Sequence, residues 1–255
     1  MRDSSISRKL YGAAAILSFL LLWEIGARWL NNPLLVPLPA DALRQAWGLL
    51  GTAAFWRHLG VTIGRGLVGF GLALCSGLAI GLLAGRRPGV RAFCQPLIAM
   101  LRSTSSISLI ILALIWMRSD QVPVFVTFLV VFPIIVQNVI EGMCQVSPNL
   151  LAMVQVFHLS RRQRMVKLYL PSLLPFLAAA AATGLGFTWK VLIAAEVLAY
   201  PSWGVGAQLD RARTYLQTDL VFAWTLVVMA IGLGFDYLLT SLLRKPFAAW
   251  QEGGQ

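Results

Sequence analysis

Apolar residues run along this chain in long, nearly unbroken stretches rather than in one-sided stripes. A bilayer core of about 30 Å takes roughly 20 apolar residues in a helix, and about six stretches reach that length: residues 10–30, 61–84, 94–117, 122–140, 173–199 and 220–243. Helices are expected because a helix satisfies its own backbone hydrogen bonds in lipid. The alternating ten-residue pattern of a barrel strand does not occur in these stretches. The pattern predicts an all-α, polytopic membrane protein in which residues 1–255 form a single transmembrane domain.

Composition agrees, with 58% hydrophobic and 12% charged residues and a mean hydropathy of +0.75. The 21 Lys and Arg against 10 Asp and Glu give a net charge of +11, which in a soluble chain would point to nucleic acid. Such a patch should be polar and contiguous, whereas here the basic residues are spread over short connections, where they set membrane topology. No nucleic-acid partner is expected. One side collects Arg2, Arg8, Lys9, Arg86, Arg87, Arg91, Arg161, Arg162, Arg164, Lys167, Arg244 and Lys245. The other collects the fewer Arg28, Arg44, Arg57, Arg65, Arg118, Arg211 and Arg213, and Arg102 and Lys190 fall inside spans. The balance places both termini in the cytoplasm of a multi-pass protein. The first apolar run continues through Glu24 with no small-residue cleavage site, so it reads as a retained helix rather than a secretory signal. Cys75, Cys94 and Cys144 have no metal-ligand spacing and read as buried or reduced thiols.

Several chemistries are missing. A phosphate-cradling loop needs glycines ending in Gly-Lys-Ser/Thr, but Lys9, Lys167, Lys190 and Lys245 follow Arg8, Val166, Trp189 and Arg244. Any use of ATP therefore requires another chain. His58 and His158 fall in connections on opposite sides of the membrane in this topology, which leaves no paired metal site and no Ser-His dyad within the spans. The chain reads as non-catalytic, without cofactor or metal of its own.

The long connection at residues 141–171 reads as two short helices. Ser147 is placed as an N-cap with Pro148 at the first helical position. Leu150, Leu151, Val154 and Phe157 recur at helical spacing and give an apolar stripe on a segment too short to span. A break falls near His158 and Leu159, Ser160 can cap a second helix containing Arg161, and Pro171 follows its last turn. The stripe either packs on the protein's own helix ends or fills a groove on a cytoplasmic partner.

This two-helix loop, followed by LYLPSLLP, resembles the EAA loop of permease subunits of binding-protein-dependent ABC importers, in the nitrate, sulfonate and taurine branch. LLWEIGARWL, VPLPADALRQAW, GFTWKVLIAAEVLA and GVGAQLDRARTYLQTDLVFAW are similar to the same branch, in order and over most of the chain. The resemblance implies the type I ABC importer permease (MetI-like) fold in a bacterial inner membrane. It implies two ATPase subunits that hold ATP and Mg, a second permease in a homodimer or heterodimer, and a periplasmic binding protein that delivers a small solute, with nitrate, sulfonates or taurine favoured. The loop around Pro148, Leu151, Ala152, Val154, Phe157, His158, Leu159, Ser160, Arg161 and Pro171 is then the coupling element that docks on the ATPase. Ala152, Met153 and Val154 stand where Glu-Ala-Ala is usual, and His158 where a turn glycine is usual. The competing reading is a self-sufficient secondary carrier or channel, although no convincing repeat relates the first and last three spans.

Ionisable groups within spans need a partner or a wet face. Glu24 and Arg28, spaced i, i+4 with the acid first, predict a structural ion pair. At 1.5 Å per residue, Arg102 and Asp236 each lie roughly 12 Å into their spans, which makes them a candidate buried pair. Where the family usually carries prolines, residues 101–109 read LRSTSSISL, and Ser103, Thr104, Ser105 and Ser106 can line a wet path or bond back to helix carbonyls. Trp189, Lys190 and Glu196 complete the candidate path, with Lys190 suited to attract an anion. The span-two glycines Gly64, Gly66, Gly69, Gly71, Gly77 and Gly81 read as close-packing sites.

Overall fold

The computed structural model describes residues 3–146, 160–164 and 168–252. In chain order the helices are α1 (Asp3–Leu30), α2 (Pro39–Leu50), α3 (Ala53–Arg86), α4 (Pro88–Ser103), α5 (Ser106–Trp116) and α6 (Val122–Cys144). They continue with the single turn α7 (Arg161–Arg164), α8 (Leu170–Ala199), α9 (Val205–Thr214) and α10 (Thr218–Glu252). Among the described residues there is no strand. Five helices (α1, α3, α6, α8 and α10) are long and apolar enough to cross a membrane, and α4 and α5 pass the same test only when taken together as a bent pair.

The centre of the bundle is α6, which packs along α3 on one side and α8 on the other. Its approach to α3 is set by small residues at four-residue spacing. A Cβ on Gly77 would come within 2.8 Å of Ile135 Cγ2, and one on Gly81 within 2.6 Å of Val139 Cβ. Without a hydrophobic drive between helices in lipid, such close backbone approach supplies the packing. Gly66 and Gly69 also face neighbouring helices, whereas Gly71 meets nothing within 4 Å. Phe70, Ala73, Val131, Ile135, Val139, Leu173 and Ala180 form the core where the three helices meet.

Three expectations are corrected. The second span begins at Ala53, capped by the Thr52 side chain, which accepts from Phe55 N–H at 3.3 Å. Arg57 and His58 therefore lie on a helix and not in a connection. The third span is no straight helix: α4 and α5 meet at an angle of 98°. No proline stands at the break. Instead the Ser103 and Thr104 hydroxyls donate back to the Met100 carbonyl, at 3.0 and 2.7 Å, closing the end of α4 where the helix would otherwise continue. The depth argument for Arg102 assumed a straight span and falls with it; Arg102 sits exposed in the last turn of α4.

The bundle has two distinguishable ends. Arg86, Arg91, Cys144 and Tyr169 mark a basic end, where the Arg91 guanidinium donates to Cys144 Sγ at 3.0 Å and Arg86 lies 6.0 Å from the Tyr169 ring centroid. The connection 118–121, the segment 200–204 and α9 lie together at the opposite end. The three cysteines are free thiols.

Candidate functional site

At the basic end, the coupling-loop residues Pro148, Leu151, Ala152, Val154, Phe157, His158 and Leu159 lie outside the described residues. The points where that loop leaves and rejoins the bundle are described. Val146 and Leu168 are both buried and pack together with Tyr169, so the ends of α6 and α8 that flank the loop meet. Ser160 caps α7 reciprocally: Gln163 N–H donates to Ser160 Oγ at 3.3 Å, and Ser160 N–H to Gln163 Oε1 at 2.9 Å. Arg161 opens that turn, and Pro171 stands in the first turn of α8, where its missing N–H leaves no bond unmade.

The path candidates separate in space. Ser105 stands at the corner between α4 and α5, Ser106 begins α5 half-buried, and Arg102 and Ser103 are exposed beside them. Trp189 is buried, its indole N–H donating to the Val228 carbonyl at 3.2 Å and its ring 5.7 Å from that of Phe235. Lys190 points the other way and is exposed, on the same face of α8 as exposed Thr183, Gly186 and Phe187. Glu196 is fully buried. Glu24 and Arg28 form an exposed ion pair at 2.6 Å. Asp236 lies on α10, its side chain outside the described residues.

Glu196 is the centre of a polar knot that the sequence reading did not assemble. Its carboxylate accepts from the Thr62 hydroxyl at 2.9 Å, the Arg65 guanidinium at 2.9 Å and the Gly206 N–H at 3.0 Å. Arg65 also donates to the Trp203 carbonyl and, at 2.9 Å, to Asp120. The Thr62 oxygen in turn accepts from Val205 N–H at 2.9 Å, and His58 Nδ1 accepts from Gly204 N–H at 3.1 Å. A carboxylate in a low-dielectric interior is tolerated only when paired and fully hydrogen-bonded, and this set supplies both. Two glycines make room. Gly204 has φ of +152°, and a Cβ there would stand 2.7 Å from the Glu196 carboxylate; one on Gly206 would stand 2.6 Å from Glu196 Cβ. The signal for the knot was present as His58, Thr62 and Arg65 at i, i+4 and i+7, one face of a helix, but it required that helix to start before Val61.

The whole arrangement is a multi-pass helical bundle whose long connection leaves α6 and rejoins α8 at the basic end, with an exposed lysine, Lys190, on α8. Residues 77–246 match the family described as binding-protein-dependent transport system inner membrane component, and the chain belongs to that family. It is an ABC importer permease with the type I, MetI-like fold. The taurine transport system permease protein TauC of Escherichia coli (strain K12) is 26% identical over 94% of this chain and 90% of its own length. The bicarbonate transport system permease protein CmpB of Synechococcus elongatus is 27% identical over 91% of this chain and 87% of its own. A solved chain of the MetNI methionine ABC transporter, inward facing, superimposes with a TM-score of 0.58 at 18% identity, over 75% of this chain and 94% of that one.

Proposed function

We propose that this chain forms part of the path for a small solute with an anionic group, of the nitrate, bicarbonate, aliphatic sulfonate or zwitterionic taurine kind, released at the knot end by a periplasmic binding protein. Support for the anion comes from Lys190, nine residues before the end of α8, or roughly 14 Å along it. Its side chain is exposed and has no carboxylate partner among the described residues. An ammonium group facing lipid at that depth is costly, so this face of α8 turns to a second permease and the water between the two. There a single positive charge acts on an anion through a low-dielectric surround. The relative named for bicarbonate agrees with that sign, and the one named for taurine adds a zwitterion with an anionic sulfonate end.

In this reading both termini and the basic end are cytoplasmic, residues 1–255 act as one permease domain, and residues 141–171 dock on two ATPase subunits that hold ATP and Mg. The chain itself breaks no covalent bond. Closure of the ATPases shifts packed helices between inward and outward access as a rigid-body transition. The test is uptake of labelled taurine, nitrate or bicarbonate into proteoliposomes holding the purified permease, its ATPase and its binding protein. Uptake of one of these anions that needs both ATP and binding protein is expected. Uptake by the chain alone, without ATP, would instead establish a carrier.

A further inference from the structure

The short helix α2 carries more apolar surface than the bundle uses. Ala42, Ala46 and Leu49, spaced i, i+4 and i+7, form one row turned inward. Ala42 is buried, and Leu49 packs against the core of Phe55, Val205, Trp224 and Val227. Leu43, Trp47 and Leu50 repeat the same spacing one position on, and this second row is open, with Trp47 79% and Leu43 55% exposed. Asp41, Arg44, Gln45 and Gly48 fill the remaining face. With 12 residues α2 is too short to cross a bilayer, so it meets the membrane along its side or not at all.

The level of α2 is fixed by its ties. Gln45 donates at 2.8 Å to Asp219, which stands just before the apolar run that opens at Leu220 on α10. Thr218 donates to the Leu34 carbonyl at 2.7 Å, and the Trp23 indole of α1 to the Pro37 carbonyl at 3.0 Å. α2 is therefore level with the ends of two membrane-crossing helices, at the edge of the hydrocarbon. Exposed tryptophans gather at the same end. Trp29 lies in the last turn of α1, Trp56 in the first turn of α3, and Trp116 closes α5. Tryptophan favours this level because its ring is apolar while its N–H needs a wet partner. Trp56 finds one in the Leu50 carbonyl at 3.0 Å, whereas Trp29, Trp47 and Trp116 have none among the described residues.

We propose that α2 is an interfacial helix whose Leu43, Trp47 and Leu50 row is seated among the phospholipid headgroups of the bilayer. The proposal rests on the membrane spans alone and stands whichever leaflet that end faces. Lipid is favoured over a second protein chain because the exposed tryptophans are spread around the bundle. α2 packs on α10, whereas α5 packs on α6 and α8, so a partner chain on one side would leave the others bare. Arg44, exposed and next to the open row, supplies the cationic flank that such a helix presents to lipid phosphates. Seated in this way, α2 holds the start of α10 at the membrane surface through Gln45 and Thr218.

The test is spin-label accessibility in phospholipid nanodiscs, on the tagged chain together with the subunits that accompany it. In a background of Cys75→Ala, Cys94→Ala and Cys144→Ala, one cysteine is introduced per variant. Leu43→Cys, Trp47→Cys and Leu50→Cys probe the open row, and Asp41→Cys, Arg44→Cys and Gly48→Cys the polar face. Collisions of the label with oxygen, which concentrates in lipid, are compared with collisions with a water-soluble nickel chelate. Relative to the polar face, the open row should favour oxygen by at least about threefold, as a row sunk about 5–10 Å into the boundary requires. A nickel chelate that reaches both faces alike puts the row in water and overturns the proposal. Exclusion of both reagents from the open row shows that a protein chain covers it, and overturns the proposal too. If Trp47→Cys unfolds the chain, Leu43→Cys and Leu50→Cys carry the same contrast. The chain with its own cysteines gives a second reading: phospholipids brominated near the headgroup should quench its tryptophan fluorescence, and Trp47→Phe should remove part of the quenchable signal. Quenching unchanged by Trp47→Phe overturns the proposal.

Discussion

Arg65 on α3 and Glu196 on α8 form an ion pair at 2.9 Å, with the carboxylate wholly buried and the guanidinium side chain 11% exposed. The two residues are 131 positions apart in sequence. Their bond joins two membrane-crossing helices directly to the segment that follows α8, because Gly206 N–H and the Trp203 carbonyl share the same two side chains. Arg65 is the hub. Among the described residues it alone links the buried carboxylate to the half-exposed Asp120 in front of α6.

Removing the hub should therefore cost more than removing either acid. Arg65→Ala leaves Glu196 buried with an unmatched charge, a situation that costs about 3–5 kcal/mol. Glu196→Gln leaves Arg65 with Asp120 and the Trp203 carbonyl, and is expected to cost less. Asp120→Ala removes a partner open to water and should cost at most about 1 kcal/mol. Thermal unfolding in detergent, followed by loss of the monodisperse peak, gives the order. Equal losses for Arg65→Ala and Asp120→Ala would show that the buried pair is not the stabilising contact.

Gly206 tests the same knot by shape rather than charge. A methyl group there meets Glu196 Cβ at 2.6 Å and the Ile193 carbonyl at 2.7 Å, both on α8. Gly206→Ala should destabilise by about 1–3 kcal/mol, as overpacking does. Gly71→Ala on α3 meets nothing within 4 Å and should be neutral or slightly stabilising. The comparison is made on folded yield and melting temperature of the two variants.

Lys190 should govern charge preference in transport rather than stability, since its side chain touches no partner in the described bundle. Lys190→Ala is expected to lower the rate of anion uptake by about tenfold, the equivalent of about 1.4 kcal/mol in the barrier. Lys190→Arg should retain most of it. Lys190→Glu should abolish anion uptake while leaving the stability within about 1 kcal/mol of the parent. Uptake unaffected by Lys190→Glu would remove this residue from the path.

The spans were legible because lipid imposes a single rule, long apolar runs in helical form, and the chain obeys it at each of the helices α1, α3, α6, α8 and α10. The break in the third span was not. Serine and threonine do not stop a helix by propensity alone, and only the capping of Met100 by Ser103 and Thr104 shows that they do so here. The knot was half legible. Glu196 stood out as an acid within a span, but its partners come from α3, from the connection before α6 and from a glycine turn, and only the tertiary arrangement joins them. Arg57 and His58 were misplaced for a simpler reason: polar residues in the first turns of α3 hid its true start at Ala53.

The central claim is that this permease is driven by a separate ATPase through the loop between α6 and α8, and co-purification tests it most directly. The tagged chain is isolated in mild detergent from its native host, beside a variant carrying Leu151→Asp, Val154→Asp and Phe157→Asp. The account predicts that an ABC ATPase accompanies the parent chain and is lost from the variant, while a second permease copy or partner stays with both. A parent chain that runs without any ATPase, and moves solute into liposomes without ATP, would contradict it.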